Sequence, residues 1–394
     1  MPKLIETKLA DIRPMAVMGR SFDFIVVGAG IAGASAAFAL SRHGRVALLE
    51  MESQPGFHST SRSAAVLSCA YGPRSWQILS VASAIFYAEP REGFTDVVLA
   101  RPLGALYLAA SHEEQGLKAQ AADLAVRGVA CELVSAETAR RMVPVVHMEK
   151  FTLGLHEPGC VDLDANALLH GYLRQARRNG AETLVNAEAA VITRSCGVWR
   201  VATRREALEA PILVNAAGAW ADEITARAGL PRRGLRPLRR TAITFAPPAG
   251  HDVRKWPMTF DIGETWYFKP EGADIMMSPA DLVPTEPCDA QPDAYDVAVA
   301  IDRIESVTSM KVDRPKSRWA GLRTFAPDHE AVIGPDPEEP SFIWYAGQGG
   351  NGVMASQAAG EVCAALAIGE DIPQTVARFG LTTDMIAPCR LRPL

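Results

Sequence analysis

Residues 22–52 read FDFIVVGAGIAGASAAFALSRHGRVALLEME, and the order of the pieces in this stretch decides the fold. Phe24–Val27 is a short apolar run rich in β-branched residues, suited to a strand buried on both faces. Gly28-Ala29-Gly30-Ile31-Ala32-Gly33 follows as a full GxGxxG. Ala34–Ser41 carries alanines with helical apolar spacing, Gly44 stops the helix, and RVALLE supplies a second strand ending in Glu50. The acid falls 17 residues past the last glycine. Gly28 permits a tight turn, Gly30 lets a pyrophosphate approach the backbone, and Gly33 lets helix and strand pack closely. The helix N-terminus turns free N–H groups and positive partial charge toward phosphates. Glu50 is suited to accept from adenosine ribose hydroxyls and to repel a 2′-phosphate. GxGxxG alone is a weak signal. With strand, helix and terminal acid in register, it predicts dinucleotide binding.

Outward from this unit, Ala165–Arg178 reads as a helix stopped by Gly180. Ile212–Asn215 is a buried strand that runs into a small-residue turn at Ala217 and Gly218. The middle of the chain changes character. RRTAITFAPP, KWPMTFDIGETWYFKPEG and DIMMSPA alternate strands, aromatics and turn residues, as in an antiparallel sheet. The tail returns to strand, glycine loop and a helix from about Val353 to Ile368. The expected fold is therefore α/β. A Rossmann-like nucleotide domain is assembled from residues 22–98, 155–235 and 320–394, and an α+β domain with a mainly antiparallel sheet is inserted as 99–154 and 236–319. Residues 1–21 read as an N-terminal arm, and Pro284–Pro292 as an exposed loop.

The net charge of −5 over 394 residues argues against a nucleic-acid partner. No apolar run reaches the roughly 18–20 residues of a membrane span. The charged, proline-broken N-terminus lacks the apolar core of a secretory signal. Seven scattered cysteines without a CxxC pair read as reduced thiols in a cytoplasmic protein, and neither they nor the eight histidines show metal spacing.

The motifs together resemble the FAD-dependent D-amino-acid oxidase family. GAGIAG with Glu50, VNAAGAWAD at 214–222, and WAGLRTFAPDHEAVIG followed by GQGGNGV at 319–353 carry the resemblance. QPGFHSTSRSAA, GYLRQARRNG and FAPP tie it to the D-arginine dehydrogenase branch. The resemblance implies a glutathione-reductase-type domain and FAD as cofactor, which GxGxxG and Glu50 alone do not separate from NAD. Matching FAD positions are Gly28, Gly30, Ile31, Ala32, Gly33, Glu50 and Met51 near the first turn. Ser59, Thr60, Ser61, Arg62, Ser63, Ala64 and Ala65 match the loop beside the flavin. Ala189, Ala217, Gly218, Gly349, Gly352, Val353 and Met354 complete the set. Relatives with a cysteinyl flavin carry the cysteine just before the PD turn. GLRTFAPD has none, so the FAD is expected to be non-covalent.

The same resemblance assigns Arg323 to a substrate carboxylate, for which a planar guanidinium offers a bidentate partner. Tyr267 and Arg240 join it, Tyr71 and Ser68 belong to a lid, and the Gly350 carbonyl accepts from the substrate amine. From the residues alone, Arg323 also fits a structural salt bridge, Tyr267 a sheet aromatic, and either of Arg239 and Arg240 a surface charge. His58 and His329 read as structural, and Cys69 as a buried, unreactive thiol. Hydride transfer from a neutral amine to flavin N5 needs no general base. In the D-arginine branch a histidine stands at Val66 and a guanidinium-binding glutamate at Leu103. Burying a guanidinium without a partner is costly, so an apolar pocket of Val66, Leu67, Leu103, Met258 and Phe260, with Asn351 beside it, is expected instead.

The expected reaction is oxidation of a D-amino acid with an apolar or neutral side chain to an imine, which hydrolyses to a 2-oxo acid and ammonia. A quinone, another carrier or oxygen takes the electrons, and a quinone would place the protein peripherally at the inner membrane. A sarcosine-, glycine- or proline-type amine oxidase, or a flavin-bound subunit that needs partner chains, are the alternatives.

Overall fold

A computed structural model describes residues 19–394. Most of the expected N-terminal arm lies outside the described residues, but Arg20–Ser21 is a strand, paired parallel with Leu208 and Glu209. A six-stranded sheet forms the centre of the nucleotide half. Its order is Glu182–Leu184, Val46–Leu49, Phe24–Val27, Ile212–Asn215, Phe342–Ala346 and Val332–Pro335. The first five run parallel and the last antiparallel. The period-2 alternation of a strand explains why both faces are apolar. Phe24, Val26 and Leu48 pack under helices, among them Ile31–Leu40 and Ala165–Arg178. Ile25, Val27, Ala47 and Leu49 pack the other way, onto Trp199, Val201 and Leu208 of a four-stranded sheet.

The second half is a nine-stranded, largely antiparallel sheet. It takes in Leu153–Glu157 and Ser317–Phe325 whole, so strands run across the expected boundaries at 154/155 and 319/320. The long pair Arg236–Phe245 and Ser317–Phe325 sets Arg240 opposite Gly321 and Leu238 opposite Arg323. Arg240 and Arg323 therefore project from one face, on a diagonal. Arg239 points to the opposite face, where its Nη2 lies 2.7 Å from Asp296 Oδ2 at the start of helix Ala294–Val307. The alternation of this strand separates the two arginines into a structural ion pair and a residue of the inner face.

Two expectations at the element ends change. The helix expected from about Val353 to Ile368 runs over Ser356–Ala367, because Gly352–Ala355 forms a wound turn before it. The 284–292 loop is pinned as well as exposed: Arg62 pairs with Asp289 and donates to the carbonyl of buried Ala290 at 2.8 Å. Among the described residues, no helix is long and apolar enough to cross a membrane.

Candidate functional site

A cleft of about 1230 Å³ opens at the carboxyl ends of the parallel strands, where open α/β sheets place their ligands. Gly28, Gly30, Ile31 and Ala32 form one wall, with Glu50 and Met51 at the end of the second strand. Gly28 has φ +100°, and a Cβ there would lie 2.6 Å from the Ala216 carbonyl oxygen. Glu50 accepts from the Ala29 amide at 3.1 Å and the Glu52 amide at 3.0 Å. Loss of water pushes its carboxyl up, and those two amides draw it back. Ser59, Thr60, Ser63, Ala189, Ala217 and Gly218 line the cleft, as do Gly349, Gly350, Gly352 and Val353. The carbonyl of Ala189 accepts from Arg227 at 2.9 Å.

Six expected positions do not line this cleft: Ala64, Ala65 and Met354 line an adjoining cavity instead, and Gly33, Ser61 and Arg62 line neither. Gly33 faces the strand and not the ligand space. Ser61 turns its hydroxyl back to the Phe57 carbonyl, and Arg62 is spent on the 284–292 loop. Conversely, His58 lines the cleft. Its Nε2 meets Glu52 Oε1 at 2.9 Å, its ring lies 4.7 Å from Trp220, and its buried Nδ1 has no partner among the described residues. Trp220 was within reach of sequence reasoning, since it follows Ala217 and Gly218 in the same motif.

A second cavity of about 590 Å³ adjoins the first, and the two share Ser63, Arg323, Gly350 and Val353 as lining. Arg240, Tyr71 and Tyr267 converge there with Arg323. Arg323 is 8 % exposed and Arg240 7 %. Neither forms an ion pair with a carboxylate among the described residues. Arg323 donates once, to the Arg62 carbonyl at 3.3 Å. Burial pushes its guanidinium down, opposed by Tyr267. Gly321 makes the room: a Cβ there would lie 3.1 Å from Arg323 Nη1. Burial raises the Tyr71 phenol to about 12, against the pull of Arg240, so the hydroxyl stays a neutral donor. Val66, Met258, Phe260, Ala64, Ala65 and Met354 complete the apolar walls.

Four expected pocket residues lie elsewhere. Leu67 alternates with Val66 in a short strand and faces the core. Ser68 is buried behind the pocket, bonded to Tyr107 and Glu157. Asn351 is buried, with its Oδ1 against Gly72. Leu103 bonds its amide to the Cys160 carbonyl and packs into the cluster around Tyr107 and Leu155, outside the cavity lining.

Sequence reasoning missed Glu264, the only acid lining this cavity among the described residues. It stands in the turn between Met258–Asp261 and Tyr267–Glu271, reached by solvent at the pocket mouth. Loss of water raises its carboxyl, and Arg240 and Tyr71 hold it down. Of the six non-glycine residues with positive φ among the described residues, three line this cavity: Ala65 at +49°, Glu264 at +51° and Ala280 at +51°. Each such conformation costs about 1–3 kcal/mol and persists where surrounding structure imposes it, often at working sites.

The family model for FAD-dependent oxidoreductases matches residues 23–366. The chain belongs to that family. A glycine oxidase of Bacillus licheniformis is 24% identical over 372 residues, covering 90% of this chain and 95% of the relative. Among solved structures, a glycine oxidase from Geobacillus kaustophilus superposes with a TM-score of 0.80 at 21% identity, covering 92% of this chain and 99% of that one. An L-proline dehydrogenase from P. horikoshii superposes at 0.81, also at 21% identity, covering 92% and 97%. The cleft fits the family's cofactor: its glycine cradle leaves no room for a Cβ at Gly28, Glu50 faces it, and the orphaned Nδ1 of His58 stands in its wall. As members of the family do, the chain uses FAD.

Proposed function

We propose that this oxidoreductase oxidises a D-amino acid with an apolar or neutral side chain to its imine, which hydrolyses to a 2-oxo acid and ammonia. Bound FAD, held without a covalent bond to the chain, supplies the hydride acceptor. One observation carries the reading: two buried arginines without carboxylate partners meet two tyrosines in a cavity that opens into the cofactor cleft. A substrate carboxylate supplies the missing counter-charge to Arg323 and Arg240, with Tyr267 and Tyr71 donating to the same group. The Gly350 carbonyl accepts from the amine at the junction of the two spaces. Orientation and an oriented field do the work, and no side chain need remove a proton from carbon.

Support for an apolar or neutral side chain comes from Val66, Met258, Phe260 and Met354, not from Leu103. The positive charge of Arg240, which holds the Glu264 carboxyl down without pairing with it, opposes a substrate guanidinium in the same cavity. Anaerobic flavin bleaching tests the reading. D-alanine or D-leucine is expected to bleach the flavin faster than D-arginine, and fastest bleaching by D-arginine would refute the side-chain assignment. The glycine oxidase and L-proline dehydrogenase likenesses favour a second reading, oxidation of glycine, sarcosine or L-proline, and faster bleaching by one of these three than by D-alanine or D-leucine would select it.

Glu264 competes with the substrate carboxylate for Arg240. Glu264→Gln is expected to lower KM for the preferred amino acid by roughly 2- to 5-fold, the scale of a partly solvated charge pair. A higher KM in steady-state assays would mean that Glu264 binds the substrate amine instead.

A further inference from the structure

Behind the substrate cavity lies a buried carboxylate that the reaction does not use. Glu157 ends the strand Leu153–Glu157 and is 2 % exposed. Its Oε2 accepts from Ser68 Oγ at 2.6 Å, and its Oε1 from the Cys69 amide at 2.7 Å. Ser68 Oγ also lies 2.7 Å from the Tyr107 hydroxyl and accepts from the Ala70 amide at 3.2 Å. The Tyr107 ring stacks on Phe260 with centroids 4.9 Å apart, and Phe260 stacks on Tyr71 at 6.2 Å. Phe260 and Tyr71 are walls of the substrate cavity. Every atom bonded to this carboxylate therefore belongs to the stretch that leads into Tyr71.

We infer that Glu157 is a positioning residue: through Ser68 and the Cys69 amide it anchors the segment that carries Tyr71 over the substrate. The inference rests on reading that cavity as the substrate site. Carboxylate acceptors make stronger hydrogen bonds than neutral ones, so the anchor tightens when Glu157 is ionised. Loss of water raises its carboxyl to about 7, with Ser68 and the Cys69 and Ala70 amides drawing it back.

The buried thiols and the phenol around it titrate far above that range. Burial raises the Cys69 and Cys131 thiols to about 12 and holds the Cys160 thiol and Tyr107 phenol well above their usual values. Arg127 faces Cys69 and Cys131 as the nearby positive charge. His156, beside Glu157 in sequence, pairs with Glu132. Asp162 and Lys269, which face Cys160, pair with each other. A carboxyl raised on folding keeps an extra proton in the native state, so its contribution to stability is full below the ordinary carboxylate range and lost as pH rises toward 7. The wild-type Tm is therefore expected to fall between about pH 5 and about pH 7 relative to Glu157→Gln.

Hydrogen exchange on the FAD-loaded full chain reads the anchor without any substrate. In Glu157→Gln, the peptide spanning residues 66–72 is expected to exchange roughly fivefold to tenfold faster, the difference between charge-assisted and neutral hydrogen bonds. In the wild type, exchange of that peptide, corrected for its intrinsic rate, slows as pH rises through about 7; in Glu157→Gln the step disappears. Propionate, a carboxylate probe for Arg323 and Arg240 read by flavin absorbance, is expected to bind severalfold more weakly to the variant. Equal exchange rates, or faster exchange with unchanged propionate binding, overturn the inference. If Glu157→Gln does not fold, Ser68→Ala decides: it must speed exchange of the same peptide, and an unchanged rate overturns the anchor. Failure of every amino acid to bleach the flavin would sink the proposed reaction, while the exchange rates still decide the anchor.

Discussion

Arg323→Met is expected to lower kcat/KM by roughly 200- to 4,000-fold, the equivalent of about 3–5 kcal/mol, while Tm without substrate holds or rises. The two halves of this expectation share one cause. Arg323 is buried, makes one hydrogen bond at 3.3 Å, and has no carboxylate partner among the described residues. An uncompensated buried charge destabilises the free protein, and a methionine of similar length fills the space without that penalty. Once a carboxylate arrives, the same charge becomes one half of a buried ion pair, and removing it strands the other half. Stability and activity should therefore move in opposite directions, as at sites where function opposes stability. Steady-state kinetics and thermal unfolding of the FAD-loaded variant check it. A structural arginine would show both falling together. A further control is the amine formed by decarboxylating the preferred substrate: its slow turnover should be nearly indifferent to Arg323→Met, because the coupling is to the carboxylate.

The nucleotide half was legible because its signals are local. Phe24–Val27 and Ile212–Asn215 are strands over the expected residues, and Ala165–Arg178 is a helix over its expected span. The two strands are apolar runs buried on both faces, the helix buries one face at its own period, and turn residues mark the ends. The substrate half was less legible because its faces are set by register. Whether Val66 or Leu67 meets the pocket depends on pairing with Asp162 and Val161, almost one hundred residues away. The likeness sets Leu103 at the position of a guanidinium-binding glutamate, but the strand Ala100–Pro102 ends before it and its half-buried side chain packs against the cluster around Tyr107 and Leu155. Glu264 was hidden for a different reason. DIGETW reads as a solvated hairpin turn, and nothing in a glutamate announces φ +51°. That backbone conformation is what sets its carboxylate at the mouth of the pocket beside Arg240. Strain held by tertiary structure has no sequence signature of its own.

Gly33→Ala is expected to abolish FAD binding and to destabilise the fold by more than the usual ~1–3 kcal/mol of overpacking. A Cβ at Gly33 would lie 1.7 Å from the Gly28 carbonyl oxygen and 3.0 Å from its carbon, contacts with backbone that no rotamer change relieves. Gly28 cannot yield, because its N–H is bonded to the Leu49 carbonyl at 2.8 Å and its own conformation already presses on Ala216. The helix Ile31–Leu40 cannot retreat either. Its far side meets the helix Ser356–Ala367 at Gly360, where a Cβ would lie 2.9 Å from Ser35 backbone. One methyl therefore has to push a strand and a pair of helices away from each other, and these together build the cofactor wall. Gly30→Ala separates this packing from ligand approach. A Cβ there meets only the Thr60 hydroxyl, at 3.3 Å, so that variant should fold with near-normal Tm and hold FAD more weakly, since its methyl enters the space for the pyrophosphate. Flavin absorbance per protein and thermal unfolding of the two variants distinguish the cases. A yellow, normally stable Gly33→Ala protein would contradict the close packing of helix on strand that the glycine spacing first implied.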